Sequence, residues 1–289
     1  MNIHNPEINA LITLLTDPDE VVYSHVSNKI HEYGIVMLPH LQSIKTNEIE
    51  EPQVVTRVQQ LIHSLQVVAL CNELQTWKNN PERTLLHGLY IISKYHNPTL
   101  DYNLVQHKAE KIRRLVWIEL NNYQTSFEKL YVINNIFFKQ LQLTGETLDY
   151  NKPASFSITN LLDTAKGNQV AFVQLYTVIA QLLDINIVPI KLPRQLILAY
   201  CSNMPNDNTI NHHKQLKYFI DPLLGKIFTF EDLLVYFKTI NVEPQVSYFK
   251  PINNIVLVAT ILNYTINCYD KVTQSEHVLA LQKMLTVVS

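Results

Sequence analysis

The sequence predicts an α+β fold, predominantly α-helical, with one central buried helix packed on a small antiparallel sheet and flanked by N- and C-terminal helices. Three observations carry this prediction. Over 170–183 nearly every position is apolar or small, and a helix apolar all round belongs in an interior. Three short segments rich in β-formers follow at once, over 187–192, 195–201 and 215–221. Elsewhere apolar residues recur at helical spacing, and the five glycines among 289 residues leave few places for tight turns.

Apolar residues make up 47% of the chain, enough for a sizeable core. A formal charge of -2 without a basic stripe gives no general attraction to nucleic acid or anionic lipid. Cys71, Cys201 and Cys268 are far apart, odd in number and lack CxxC spacing, so neither a disulfide framework nor a zinc site is indicated. The N-terminus has no basic start followed by an apolar run, and no apolar stretch of about 20 residues occurs. The expectation is a soluble cytoplasmic protein with reduced thiols and with no cofactor, metal, membrane or nucleic-acid partner.

The chain divides into a helical N-terminal segment (1–70), a core (71–245) and a C-terminal helical pair (246–289). Ile8, Leu11, Ile12, Leu14 and Leu15 share one helical face. Asp17 is the expected N-cap of a second helix, with Pro18 at its first position and Gly34 at its end. A short helix with Pro39 in its first turns follows, then an acidic solvated connector over 48–52. Helical spacing continues over 54–77, 82–95, 101–120 and 127–143, broken at Asn80-Pro81 and Asn97-Pro98. Lys108, Lys111, Arg113 and Arg114 are partly balanced by Glu110 and Glu119 and read as a solvated face. Residues 145–157 are the one long irregular segment, and a helix over 158–164 leads to Gly167.

In the three β segments, Pro189 argues for an edge position, because it has no amide to give a neighbouring strand. Ile197, Ala199 and Cys201 share one strand face with Gln195, opposite Leu196, Leu198 and Tyr200. The polar, Asn-rich stretch between the last two strands makes a long hairpin, whose pairing is expected to set Gln195 beside Asp221. Thr229 is the expected N-cap of the next helix. Helices over 253–269 and 275–288 close the chain, with Met284 in their core.

The run LLTDPDEVVYSHVSNKIHEYGIVMLPHL resembles one HEAT repeat in its DPD turn and its Gly–x–x–x–x–Pro spacing, and it equally fits an ordinary helical hairpin. Three later runs, LYVINNIFFKQLQLTGETLDYNKPASFSITNLL, GNQVAFVQLYTVIAQLLDINIVPIKLPRQLILAY and FIDPLLGKIFTFEDLL, resemble the transglutaminase-like superfamily, in its bacterial SirB branch of regulators of sirC expression. The likeness extends from about Leu85 to Met284. It implies a papain-like core and a Cys–His–Asp triad. A thiolate at the start of the buried helix would attack an amide carbonyl, a His would take its proton and an Asp would orient that His. The partial positive charge of the helix N-terminus would favour the thiolate.

The corresponding positions here are Val170, Gln195 and Asp221. The stretch 167–172, GNQVAF, holds no Cys, Ser or Thr, and Gln195 has no titrating proton with which to act as a base. Only Asp221 keeps its type, and Gln195 is expected to hydrogen-bond it. Cys201 lies about six strand steps, roughly 20 Å, from Gln195. Cys71 and Cys268 read as inert thiols, His212-His213 as a solvated loop pair, and His25, His63 and His87 as core or surface residues.

The expected function is a non-catalytic binding, regulatory or scaffold module. A groove near Gln169, Tyr176, Arg194, Gln195 and Asp221 would hold an unidentified protein partner. Two alternatives stand beside it: the polar groups satisfy one another and bind nothing, or the chain is a cysteine-type amidase, protease or transglutaminase with an unrecognised nucleophile.

Overall fold

The computed structural model describes residues 5–15, 17, 19–46, 52–202 and 215–289. Most of the expected connector, the polar hairpin loop from residue 203 on, and Pro18 lie outside the described residues. Two compact units result, Met1–Glu73 and Leu74–Ser289.

The first unit contains α1 (Asn5–Leu14), α2 (Glu20–Tyr33), α3 (Leu38–Thr46) and most of α4 (Pro52–Asn79). Leu15, Ile30, Met37 and Leu41 are wholly buried, and Val58, Leu61 and Leu65 of α4 pack with them. The helix cap differs from expectation. Asp19, not Asp17, is the N-cap of α2, its carboxylate accepting from the Val21 amide at 2.8 Å. The Asp17 carboxylate instead accepts from the Asp19 amide, closing an Asx turn ahead of the helix. Arg57 of α4 fixes that turn, donating to the Asp17 carbonyl at 2.7 Å and to Glu20 at 2.6 Å while stacking over Tyr23. Gly34 ends α2 with φ +64°, a left-handed conformation that costs a glycine little, and a 3₁₀ turn over Gly34–Met37 precedes α3.

The second unit opens with α5 (Leu85–Ser93), α6 (Tyr102–Glu119) and α7 (Ser126–Asn135). Each has a side-chain cap, from Thr84, Asp101 and Thr125 respectively, and Thr125 completes a capping box with Glu128. The expected helix over 127–143 stays α-helical only to Asn135. Ile136–Gln140 widens into a π turn, closed by the Leu141 amide on the Ile136 carbonyl. Nor is the segment over 145–157 wholly irregular. Its start belongs to β1 (Thr144–Glu146), which pairs parallel with β2 (Lys166–Asn168) after α8 (Ile158–Thr164), and Pro153–Phe156 is a 3₁₀ turn.

The central helix α9 (Gln169–Leu182) follows β2 without a break, and its residues from Val170 to Ala180 are all buried. It packs on the sheet of β3 (Ile187–Lys191), β4 (Leu196–Cys201), β5 (Leu216–Ile220) and β6 (Ile227–Phe228), antiparallel throughout in that order. Pro189 is on edge strand β3, as its missing amide requires, and its carbonyl accepts from the Ile252 amide at 2.8 Å. Ile197, Ala199 and Cys201 pack with Leu233 and Phe237 of α10 (Phe230–Thr239), whereas Leu196 and Leu198 are wholly buried on the opposite face. Thr229 caps α10 in a capping box with Asp232. The pair α11 (Asn254–Ile266) and α12 (Ser275–Val288) completes the unit, with Met284 fully buried. No helix among the described residues is long and apolar enough to cross a membrane.

Candidate functional site

The site is built at the N-terminus of α9. Gly167 passes close under the helix, where an added Cβ would meet Ala171 Cβ at 3.1 Å and Leu161 Cδ1 at 3.2 Å. Asn168, with no exposed surface, is the N-cap. Its Oδ1 accepts from the amides of Val170 (2.9 Å) and Ala171 (3.2 Å), and its Nδ2 donates to Ser155 Oγ (3.2 Å). One turn on, buried Gln174 accepts from the Ile158 amide at 3.1 Å and donates to the Phe156 carbonyl at 2.6 Å. Two amides that could stabilise a developing anion are therefore turned inward and satisfied by the chain's own side chain.

The frame does bring two expected positions together. Gln169, the first residue of α9, donates from Nε2 to Gln195 Oε1 at 3.5 Å, a long bond between half-buried amides. Val170 points into the core with 1% exposure, so Gln169 is the residue that meets Gln195. Arg194 is exposed beside the pair. Tyr236 of α10 completes this corner: burial raises its phenol, opposed first by the charge of Arg194 and then by a hydrogen bond with the Gln195 side chain, and its hydroxyl is buried there.

Two expected groove residues lie elsewhere. Tyr176 is a core residue, 1% exposed, and its hydroxyl donates to Asn134 Oδ1 at 2.7 Å. Its ring meets Phe137 of the π turn edge-on. Burial, reinforced by the negative charge of Asp221, raises its phenol well above the usual range. Asp221 directly follows β5 and caps the turn there. Its Oδ1 accepts from the amides of Leu223 (2.8 Å) and Leu224 (3.3 Å), and its carbonyl accepts from Gly225, at φ +63°. The expected bond between Gln195 and Asp221 is not made. Leu198 pairs with Ile220, a register that carries Ile197 rather than Gln195 opposite Asp221, and the carboxylate is already engaged by the turn.

Substitute nucleophiles are no better placed. Cys201 is wholly buried, and burial pushes its thiol up to about 12. Cys268 is pushed up to about 11, first by burial and then by the charge of Asp149. Cys71 is half-buried on α4. His212 and His213 lie outside the described residues, among which no three His, Cys, Asp or Glu side chains gather as metal ligands.

Sequence reasoning missed Asn168 and Tyr236. An Asn just before a long apolar run is an N-cap signal, and it identifies Asn168. Nothing in the sequence pattern singles out Tyr236, which reaches the corner only through the packing of α10.

A buried helix laid on a small antiparallel sheet and flanked by helices is the scaffold that the transglutaminase likeness implies. Comparison with family models matches residues 103–263, more than half of the chain, to the transglutaminase-like superfamily. The chain belongs to that superfamily. No curated protein and no solved structure matches it.

Proposed function

We propose that this chain is a non-catalytic transglutaminase-like protein of the SirB type, with a HEAT-like helical unit at its N-terminus, acting in the cytoplasm as a binding or regulatory module for a protein partner. The supporting observation is the Gln169–Gln195 pair, which joins the expected base position, Gln195, to the neighbour of the expected nucleophile position, Val170. An amide neither ionises near neutrality nor supplies a nucleophile, so the pair can bind but cannot transfer an acyl group. The raised thiol of Cys201 argues against a cysteine-type enzyme with a displaced nucleophile. Exposed Arg194 lies beside the pair as a donor for a partner's acceptor groups.

The test compares the immobilised intact chain with a Gln195→Trp variant as baits, and assays both for incorporation of a fluorescent amine into a glutamine-bearing protein. The expected result is a partner retained by the intact chain and lost by the variant, with no amine transfer above the protein-free control. Amine transfer, or an identical set of captured proteins, would count against the reading.

A further inference from the structure

A second feature lies at the other end of α9. The turn joining α6 to α7 is held by its own side chains: Asn121 Oδ1 accepts from the Tyr123 amide, Gln124 Oε1 accepts from the Asn121 amide, and Gln124 Nε2 donates to the Glu119 carbonyl, each at 3.0 Å. The turn joining α9 to β3 is fixed as well, by the Ile185 amide on the Ala180 carbonyl (2.9 Å) and the Cys201 amide on the Asn186 carbonyl (2.8 Å). Between these two rigid turns opens a cleft of about 380 Å³, within the size range of small-ligand sites.

Its lining has a particular chemistry. Trp117 stands on the wall with 62% of its surface exposed, whereas Trp77, the chain's other tryptophan, is 2% exposed and donates its indole N–H to the Thr84 carbonyl. No packing requirement accounts for an indole left in water. Tyr200 adds a second aromatic ring. The side chains of Asn122, Asn186, Lys129 and Asp184 line the rest and make no hydrogen bond among the described residues. One cation and one carboxylate balance, so the cleft favours a neutral ligand over a phosphate-bearing one. Asparagine amides donate and accept, as hydroxyl groups do, and an aromatic face offers an apolar platform for the C–H face of a sugar ring. A second cleft, of about 620 Å³, also has residues 184–186 in its lining.

We propose that the cleft between Trp117, Tyr200 and residues 184–186 binds a neutral oligosaccharide, with the indole of Trp117 as the stacking platform and the Asn122 and Asn186 amides as hydroxyl partners. This site is separate from the Gln169–Gln195 corner and does not depend on it.

The test is calorimetric titration of the full chain with maltotriose, cellotriose and triacetylchitotriose, with tryptophan fluorescence as a parallel readout. The expected result is saturable binding of at least one of them. Loss of the aromatic platform in Trp117→Ala should weaken it by about tenfold or more, with partial recovery in Trp117→Tyr. Asn186→Ala, melting like the parent, should weaken the same sugar. Saturable heat with none of the three, binding unchanged in both Trp117→Ala and Asn186→Ala, or tighter Trp117-dependent binding of AMP or trialanine would overturn the assignment.

Discussion

Replacing Asn168 by Ala tests whether the start of α9 is closed by the chain itself. The substitution removes the acceptor of two amides whose residues, Val170 and Ala171, are 1% and 0% exposed. Loss of an ordinary N-cap costs about 1 kcal/mol, with water replacing the missing acceptor. Water has little access here, and a buried unsatisfied donor costs about 1–3 kcal/mol. The expected loss is therefore about 2–4 kcal/mol. Asn253 is the internal control, because it caps α11 through the Val256 amide at 2.9 Å from an exposed position, and Asn253→Ala should cost about 1 kcal/mol. Urea unfolding followed by tryptophan fluorescence is the assay, since Trp77 and Trp117 both belong to the Leu74–Ser289 unit. Equal losses for Asn168→Ala and Asn253→Ala would refute the reasoning.

Two further perturbations probe the same frame. Tyr176→Phe removes the hydroxyl that donates to Asn134 Oδ1 and should lower the stability of the second unit by about 1–2 kcal/mol in the same urea assay. At high pH the buried thiol of Cys201 becomes a liability. Its folded value, raised from 9.0 to about 12, means that the folded state binds more protons than the unfolded state between those limits. Stability from this group is full below pH 9 and is lost as pH rises towards 12, so the urea midpoint should fall across that window. The fall should be shallower in Cys201→Ala, and an unchanged slope would count against the burial argument.

The elements most legible in the sequence are those with long, uninterrupted patterns. The apolar run after Gly167 places α9 almost to the residue, because a helix apolar on every side has few other places to go. Pro189 places β3 at the edge for an equally local reason, its missing amide. The β1–β2 pair was illegible: strands of three residues, each containing a glycine, show no periodicity, and their partner is remote in sequence. The position of Asp221 failed differently. Strand alternation fixes which face a residue takes but leaves its partner open by steps of two, and the pairing of β4 with β5, irregular between Tyr200 and Cys201, sets Leu198 against Ile220. A carboxylate that resembles the last member of a triad proves to be holding the amides of Leu223 and Leu224. Gln169 came to notice as a groove residue, but its bond to Gln195 depends on the docking of α9 against the start of β4, a tertiary fact.

The central claim is that the superfamily's frame is kept here without an activated thiol. The most direct measurement is the rate at which each cysteine of the native chain reacts with limiting iodoacetamide at pH 7, resolved by peptide mass and compared with the chain in urea. Cys201 and Cys268 should react more slowly in the folded state, since burial pushes both thiols above their ordinary values, and Cys71 should not exceed its unfolded rate. Any one of the three reacting faster in the native chain than in the unfolded one would contradict the account.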